Sequence, residues 1–372
     1  MPTKRSGRTL AVMAYGEPAI SPLDVEDLRN RVQKSIDEFL SSRTPTLDRV
    51  SPDLVPLTDA ITALISGGKR LRPAFAYWAW RATGGDDTDA AITAAASLEF
   101  LQACALIHDD VMDASDTRRG MPAAHRRFAS LHRENEWHGS SEAFGVGAAI
   151  LLGDLCLSWA DELLLTSGLP QDALLRAKPI YDDMRTELMA GQYLDLLEQA
   201  RGGGSVERAL QVVRYKSAKY TIERPLHLGA TLAGGDEITR ESLSRYGLPL
   251  GEAFQLRDDV LGVFGDPSET GKPAGDDLRE GKRTVLIAIA VERATPVQDS
   301  ALRRQLGDPA LDAGGVATLR EIIRDTGALA FTEEIIAARL AESVSALDAM
   351  DVDPLAAQVL AGLAVAATSR SV

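Results

Sequence analysis

Apolar residues recur at helical spacing almost everywhere from about Asp24 onward. Leu28, Val32, Ile36 and Leu40 form one stripe, and Leu188, Tyr193, Leu196 and Leu197 form part of another. Strand-like alternation is nearly absent, β-branched clusters are short, and the strong helix formers Ala and Leu dominate. The pattern predicts an all-α chain of roughly ten or more helices joined by short loops. Gly84-Gly85-Asp86-Asp87 reads as one connection, Leu131 to Ser141 as a longer polar one, and Gly202-Gly203-Gly204 as a helix end. Gly265 to Gly281, rich in Gly, Pro and charge, is too long for an idle turn and reads as a functional or mobile loop. Residues 1–24 read as a flexible leader, since their apolar run is broken by Gly16 and Pro18, and residues 25–372 read as one large helical domain. No stretch reads as long and apolar enough to span a bilayer.

Composition narrows the function. Hydrophobic residues make up 45% of the chain and charged ones 25%, the profile of a soluble protein with a sizeable core. A formal net charge of −14 gives a nucleic-acid-binding role little support. Cys104 and Cys156 lie in apolar stretches outside any CxxC pattern, so neither zinc nor a disulfide framework is indicated, which fits a cytoplasmic protein.

The chemistry concentrates in acidic pairs. In Leu106-Ile107-His108-Asp109-Asp110-Val111-Met112-Asp113, Asp109 and Asp113 share one helical face and repel. The run before them, Ala94 to Ile107, is almost wholly apolar, so uncompensated carboxylates at its end would be costly. A hard divalent cation resolves this, because magnesium takes carboxylate and phosphate oxygens together; a solvated acidic helix end is the other reading. Asp258 and Asp259, in Phe254-Gln255-Leu256-Arg257-Asp258-Asp259-Val260-Leu261-Gly262, again follow an apolar run. Two such pairs facing across a bundle would hold magnesium ions that neutralise a diphosphate.

Cations surround them. Gly67-Gly68-Lys69-Arg70-Leu71-Arg72-Pro73 lacks Walker spacing but is a plausible anion site, with a helix starting near Pro73. Arg118-Arg119-Gly120 follows the first acidic motif; Lys216 and Ser217 precede the second, and Lys272 and Lys282 flank the loop after it. No nucleophile motif is present, so the chemistry implied is ionisation of a diphosphate leaving group by electrostatic catalysis.

GGKRLRP, DDVMD followed by RRG, KSA, FQLRDD and GKPAGDDLREGKRT occur in one order over about residues 25 to 372. That set resembles the trans-isoprenyl diphosphate synthases of the polyprenyl synthetase family, and within them the actinobacterial-type geranylgeranyl diphosphate synthases. The resemblance implies a single antiparallel bundle of the isoprenoid synthase type around a central cavity. It implies condensation of isopentenyl diphosphate with an allylic diphosphate of C5 to C15, most simply to C20, with a farnesyl (C15) or longer-chain synthase as the alternative. Asp109, Asp113 and Asp258 would hold three magnesium ions, or manganese in their place, with Asp110 and Asp259 supporting. Arg118, Lys216, Ser217, Gln255, Lys272 and Lys282 would take the allylic diphosphate, and Lys69, Arg72, Gln102 and Arg119 isopentenyl diphosphate. The state implied is a homodimer.

Two positions depart from the family pattern: Gly262 stands where the second motif usually ends in Asp, and Ser217 where Thr is common. A class I terpene cyclase would carry an NDxxSxxxE-like motif, which is missing, and a regulatory subunit would have lost an acidic pair or the GGKR loop. Product length is expected to be set below Asp109. Cys104 and Ala105 lie about one turn down its helix, ~6 to 8 Å, and Leu101 about two turns, ~12 Å. C15 enzymes of the family commonly carry an aromatic ring in that first turn. Here a thiol and a methyl group stand there, with Leu101 as a candidate floor.

Overall fold

The computed structural model describes residues 21–266 and 275–368. Among them the chain is helical apart from one short antiparallel hairpin, Thr117–Arg118 with Met121–Pro122, as the all-α expectation requires. The expected leader falls outside the described residues except for its last four, and of those Leu23 is already packed into the core. Lys272 also lies outside the described residues.

Helix α1 (Leu28–Val50) buries the predicted stripe of Leu28, Val32, Ile36 and Leu40. After α2 (Val55–Ile65) and α3 (Leu71–Ala82) comes α4 (Asp89–Met112), started by Thr88, whose hydroxyl accepts the Ala91 N–H at 3.2 Å. Helix α4 is apolar all round, as an element enclosed on every side must be. It packs on α1, α2 and α3 and most extensively on α6 (Ser141–Leu165), with α5 (Ala124–Glu134) beside it. The connection before α6 is shorter than expected: α5 continues to Glu134, so only residues 135–140 are irregular.

The opposite wall is α7 (Gln171–Arg201), α8 (Val206–Val212), a π-helical stretch over Val213–Glu223, α9 (Arg224–Leu232) and α10 (Glu237–Phe264). A π-helix widens the turn and is frequently found at functional sites. This one carries Lys216, Ser217, Tyr220 and Thr221, and it sits between α7 and α10 with glycines at both contacts. A Cβ at Gly191 would lie 2.3 Å from the Lys216 nitrogen, and one at Gly251 would lie 2.6 Å from Ala218 Cα. Both neighbours thus approach its backbone more closely than any side chain would allow. Helices α11 (Asp276–Glu280), α12 (Val285–Arg293), α13 (Pro296–Gln305), α14 (Ala313–Asp325) and α15 (Ala328–Asp348) build a second apolar cluster. That cluster anchors the end of α10 through Val260, Val263 and Phe264, and α16 (Pro354–Thr368) closes on the first core.

Two expectations are corrected. Helices α4 and α6 are each long and apolar enough to cross a membrane by length and composition. Helix α4 is the core helix, its apolar window 72% buried; α6 is only 39% buried and exposes Phe144, Val146, Ile150 and Leu151. The stripe read on α7 is not its buried face either. Gly191, Asp195 and Glu198 point inward, whereas Tyr193 is 64% exposed. The first half of α7 buries Ala177, Tyr181 and Met184 in the core, but the inner side of its second half faces the π-helical stretch and charged partners, so hydrophobicity misjudged it there.

Candidate active site

Helix α4 ends on its acidic motif: the Asp113 N–H bonds the Asp109 carbonyl at 2.8 Å, and Asp113 is the C-cap. Carboxylates at a helix C-terminus are opposed by the macrodipole as well as by each other, so counter-charge is required there. The π-helical stretch and the hairpin deliver it. Lys216 Nζ lies 3.1 Å from Asp109 Oδ1 and 2.6 Å from Asp195 Oδ2 on α7. Arg118 donates through Nε to Asp110 Oδ1 at 2.9 Å, holds the same oxygen through Nη2, and stands 3.7 Å from Asp109 Oδ2. Lys282 Nζ reaches Glu280 at 2.8 Å, Asp277 at 3.4 Å and Asp113 at 3.9 Å.

Electrostatics divide the carboxyl groups. Burial pushes Asp109 up, but Lys216, Lys282 and Arg118 outweigh it and hold the group at about 2. Asp113 is raised to about 6 by burial and then by the Asp109 charge. Burial carries Asp259 to about 7 against the pull of its Gln255 hydrogen bond, 2.8 Å. Both carboxylate oxygens of Asp113 and Oδ2 of Asp259 are buried without a hydrogen-bond partner. Orphaned buried carboxylate oxygens are costly, and a bound cation satisfies them.

These groups surround a cavity of about 540 Å³. Of the residues the sequence singled out, it is lined by Lys69, Arg72, Gln102, Ala105, Asp109, Arg118, Lys216, Ser217, Gln255, Asp258, Asp259 and Lys282. Asp109 of the first acidic motif and both Asp258 and Asp259 of the second, from opposite walls, therefore face one space. Asp110 and Asp113 sit behind the lining, Asp110 2% exposed and clamped to Arg118. Arg119 also lies off the lining: its guanidinium packs beside Gly68 and donates to the Leu64 carbonyl at 2.8 Å, next to the Lys69 loop. Among the described residues no three carboxylate, imidazole or thiol groups close on one point.

The three chain-length candidates separate in the structure. Ala105 lines the cavity, on the same face as Asp109, but Leu101 and Cys104 do not. Cys104 sits a helical step to the side, 5% exposed, with its sulfur 3.7 Å from His108 Nδ1, and Leu101 is sealed in the core.

The Lys69 loop is held by its neighbour. Arg70, 3% exposed, turns away from the cavity and binds Glu99, Gln33 and the Ile65 carbonyl. Glu99→Ala would leave that guanidinium buried with one charge unmatched, and we expect a loss of about 3–5 kcal/mol in urea unfolding. A loss under about 1 kcal/mol would mean that the pair does not organise the loop. Arg72, by contrast, faces inward, stacked 4.4 Å over the Tyr220 ring and donating to Thr221 Oγ1 at 2.8 Å, while the Tyr220 hydroxyl bonds Gln102 at 2.9 Å.

Sequence reading missed Asp195 and Gln192 on α7, Tyr220 and Thr221 on the π-helical stretch, and Asp277 and Glu280 on α11. A signal existed for one of them: Asp195 interrupts what looked like an apolar stripe, and a carboxylate in such a place needs a partner.

A family model described as polyprenyl synthetase matches residues 55–323. A geranylfarnesyl diphosphate synthase of Aeropyrum pernix is 34% identical over 292 residues, covering 76% of this chain and 84% of that one. A geranylgeranyl diphosphate synthase of Mycobacterium tuberculosis is 32% identical over 290 residues, covering 78% and 77%. Among solved structures, a geranylgeranyl pyrophosphate synthase from Corynebacterium glutamicum, complexed with isoprenyl diphosphate and magnesium, aligns with a TM-score of 0.89 at 42% identity. That alignment covers 94% of this chain and 99% of that one.

Proposed function

The chain belongs to the polyprenyl synthetase family, and on that premise we propose that its cavity condenses isopentenyl diphosphate with allylic diphosphates of up to C15 and releases geranylgeranyl diphosphate. That it is a prenyltransferase forming linear prenyl diphosphates follows from the family and its relatives. The observation that supports the site assignment is the convergence of Asp109, Asp258 and Asp259 with eight predicted cationic or polar side chains on one cavity.

Asp109, Asp113 and Asp258 would hold magnesium, three ions in our reading and replaceable by manganese, and Asp113 with its orphaned oxygens is the group most in need of it. When bound, magnesium supplies positive charge against the diphosphate oxygens. Arg118, Lys216, Ser217, Gln255 and Lys282, together with Lys272, take the allylic diphosphate. Its C–O bond breaks with the electron pair leaving on oxygen, and the lysines and Arg118 meet the charge that develops there. Lys216 and Lys282 each bridge carboxylates, so in our reading diphosphate binding would exchange one set of ionic partners for another. Lys69, Arg72, Gln102 and Arg119 orient isopentenyl diphosphate so that its double bond attacks the allylic carbon. The proton lost from the adduct goes to the departing diphosphate.

The Lys69 assignment is testable by itself. Lys69→Ala removes a charge-assisted contact to one substrate, so the Michaelis constant for isopentenyl diphosphate should rise about tenfold or more, with the allylic constant little changed. Movement of the allylic constant alone would reverse our division of the cations.

Incubating the protein with isopentenyl diphosphate and C5, C10 or C15 primers, with products read by mass spectrometry, tests the chain length. C20 from every primer is expected; a C15 end product would overturn it. Ala105→Phe places a ring about 6 Å below Asp109 and should move the main product toward C15. A folded, active variant with the wild-type product would locate the floor elsewhere.

We place the reaction in the cytoplasm, in keeping with two free, buried cysteines. We also assign a homodimer, and the exposed apolar side of α6, with Phe144, Val146, Ile150 and Leu151, is the face a second copy would cover.

A further inference from the structure

The second acidic motif ends in glycine, yet the space beside that glycine is not empty. A Cβ built on Gly262 would lie 1.8 Å from Asp277 Oδ2, 2.5 Å from Asp277 Cγ and 3.3 Å from Asp277 Oδ1. The carboxylate of Asp277 therefore fills the volume that a side chain at position 262 would occupy, one turn beyond Asp258 on the cavity side of α10. Gly262 and Asp277 both line the cavity. Lys282 Nζ lies 3.4 Å from Asp277 and 3.9 Å from Asp113, which ties Asp277 to the first acidic motif as well. The neighbouring Asp259 is 5% exposed, and its Oδ2 has no hydrogen-bond partner, so this corner holds an unsatisfied carboxylate oxygen that a cation would complete.

We propose that Asp277 supplies, from α11, the third carboxylate that the second acidic motif lacks at Gly262, and that Gly262 is glycine because Asp277 stands in its place. The proposal rests on the reading of the cavity as a magnesium–diphosphate site. It reverses the simplest expectation from the motif. Gly262→Asp does not repair a defect; it forces two carboxylates into one volume and displaces Asp277.

The test is calorimetric titration of inorganic pyrophosphate in the presence of magnesium chloride, which needs no turnover. Wild-type protein should bind; failure of the wild type would overturn the underlying site assignment and the proposal with it. Asp277→Ala should weaken binding about tenfold or more. Gly262→Asp alone should weaken it too, and Gly262→Asp combined with Asp277→Ala should recover most of the loss, because the carboxylate returns to the same place from the other element. Circular dichroism checks folding, and Asp277→Asn, which keeps the shape and removes the charge, replaces the alanine variant if that one unfolds. Binding by the Asp277 variants as tight as wild type, a double variant no better than Asp277→Ala, or tighter binding by Gly262→Asp alone would each overturn the proposal.

Discussion

Asp109→Ala should lower the condensation rate by about a thousandfold at saturating magnesium and substrates. Asp109 is held firmly ionised, at about 2, and is the carboxyl group on which Lys216 and Arg118 converge. Its loss would remove a proposed metal ligand and leave Lys216 turned toward Asp195 alone, so the cation would be misplaced as well. The fold should survive. Asp109 is one of the charges that push Asp113 upward, and its removal relieves that repulsion. Steady-state rates together with thermal melts check both halves. A rate within tenfold of wild type would remove Asp109 from the metal site.

Lys216→Ala should cost about a hundredfold in turnover, with little change in the Michaelis constant for isopentenyl diphosphate. This lysine stands between Asp109 and Asp195, and those charges raise its pKa although burial alone would lower it. Without it two inward-facing carboxylates lose their shared counter-ion, and the melting temperature should fall. Magnesium should restore part of that temperature, since a cation can occupy the space between the same oxygens; melts with and without magnesium chloride measure this. A variant that keeps both its rate and its melting temperature would show Lys216 to be a bystander.

Much of this site was legible because its chemistry is local. Asp109 and Asp113 announce themselves by a spacing of four at the end of an apolar run, and Lys69 and Arg72 by their glycines. What periodicity could not give was which neighbour each face meets. The inner side of α7 carries Gly191, Asp195 and Glu198 because it meets the π-helical stretch and Arg208, whose Nε is 2.6 Å from Glu198, so the apolar residues between them were the wrong guide. Cys104 and Ala105 are adjacent in sequence, yet the step of about 100° between helical neighbours turns one toward His108 and the other into the cavity. Gly262 looked like a missing ligand because the residue filling its space, Asp277, belongs to another helix.

The most direct test of the central assignment is incorporation of radiolabelled isopentenyl diphosphate by the wild-type protein, with an allylic primer, in magnesium and in excess EDTA. The account predicts an acid-labile linear product longer than the primer by whole C5 units, formed in magnesium and absent in EDTA. Full incorporation in EDTA, or consumption of the primer to a cyclic hydrocarbon without isopentenyl diphosphate, would contradict it.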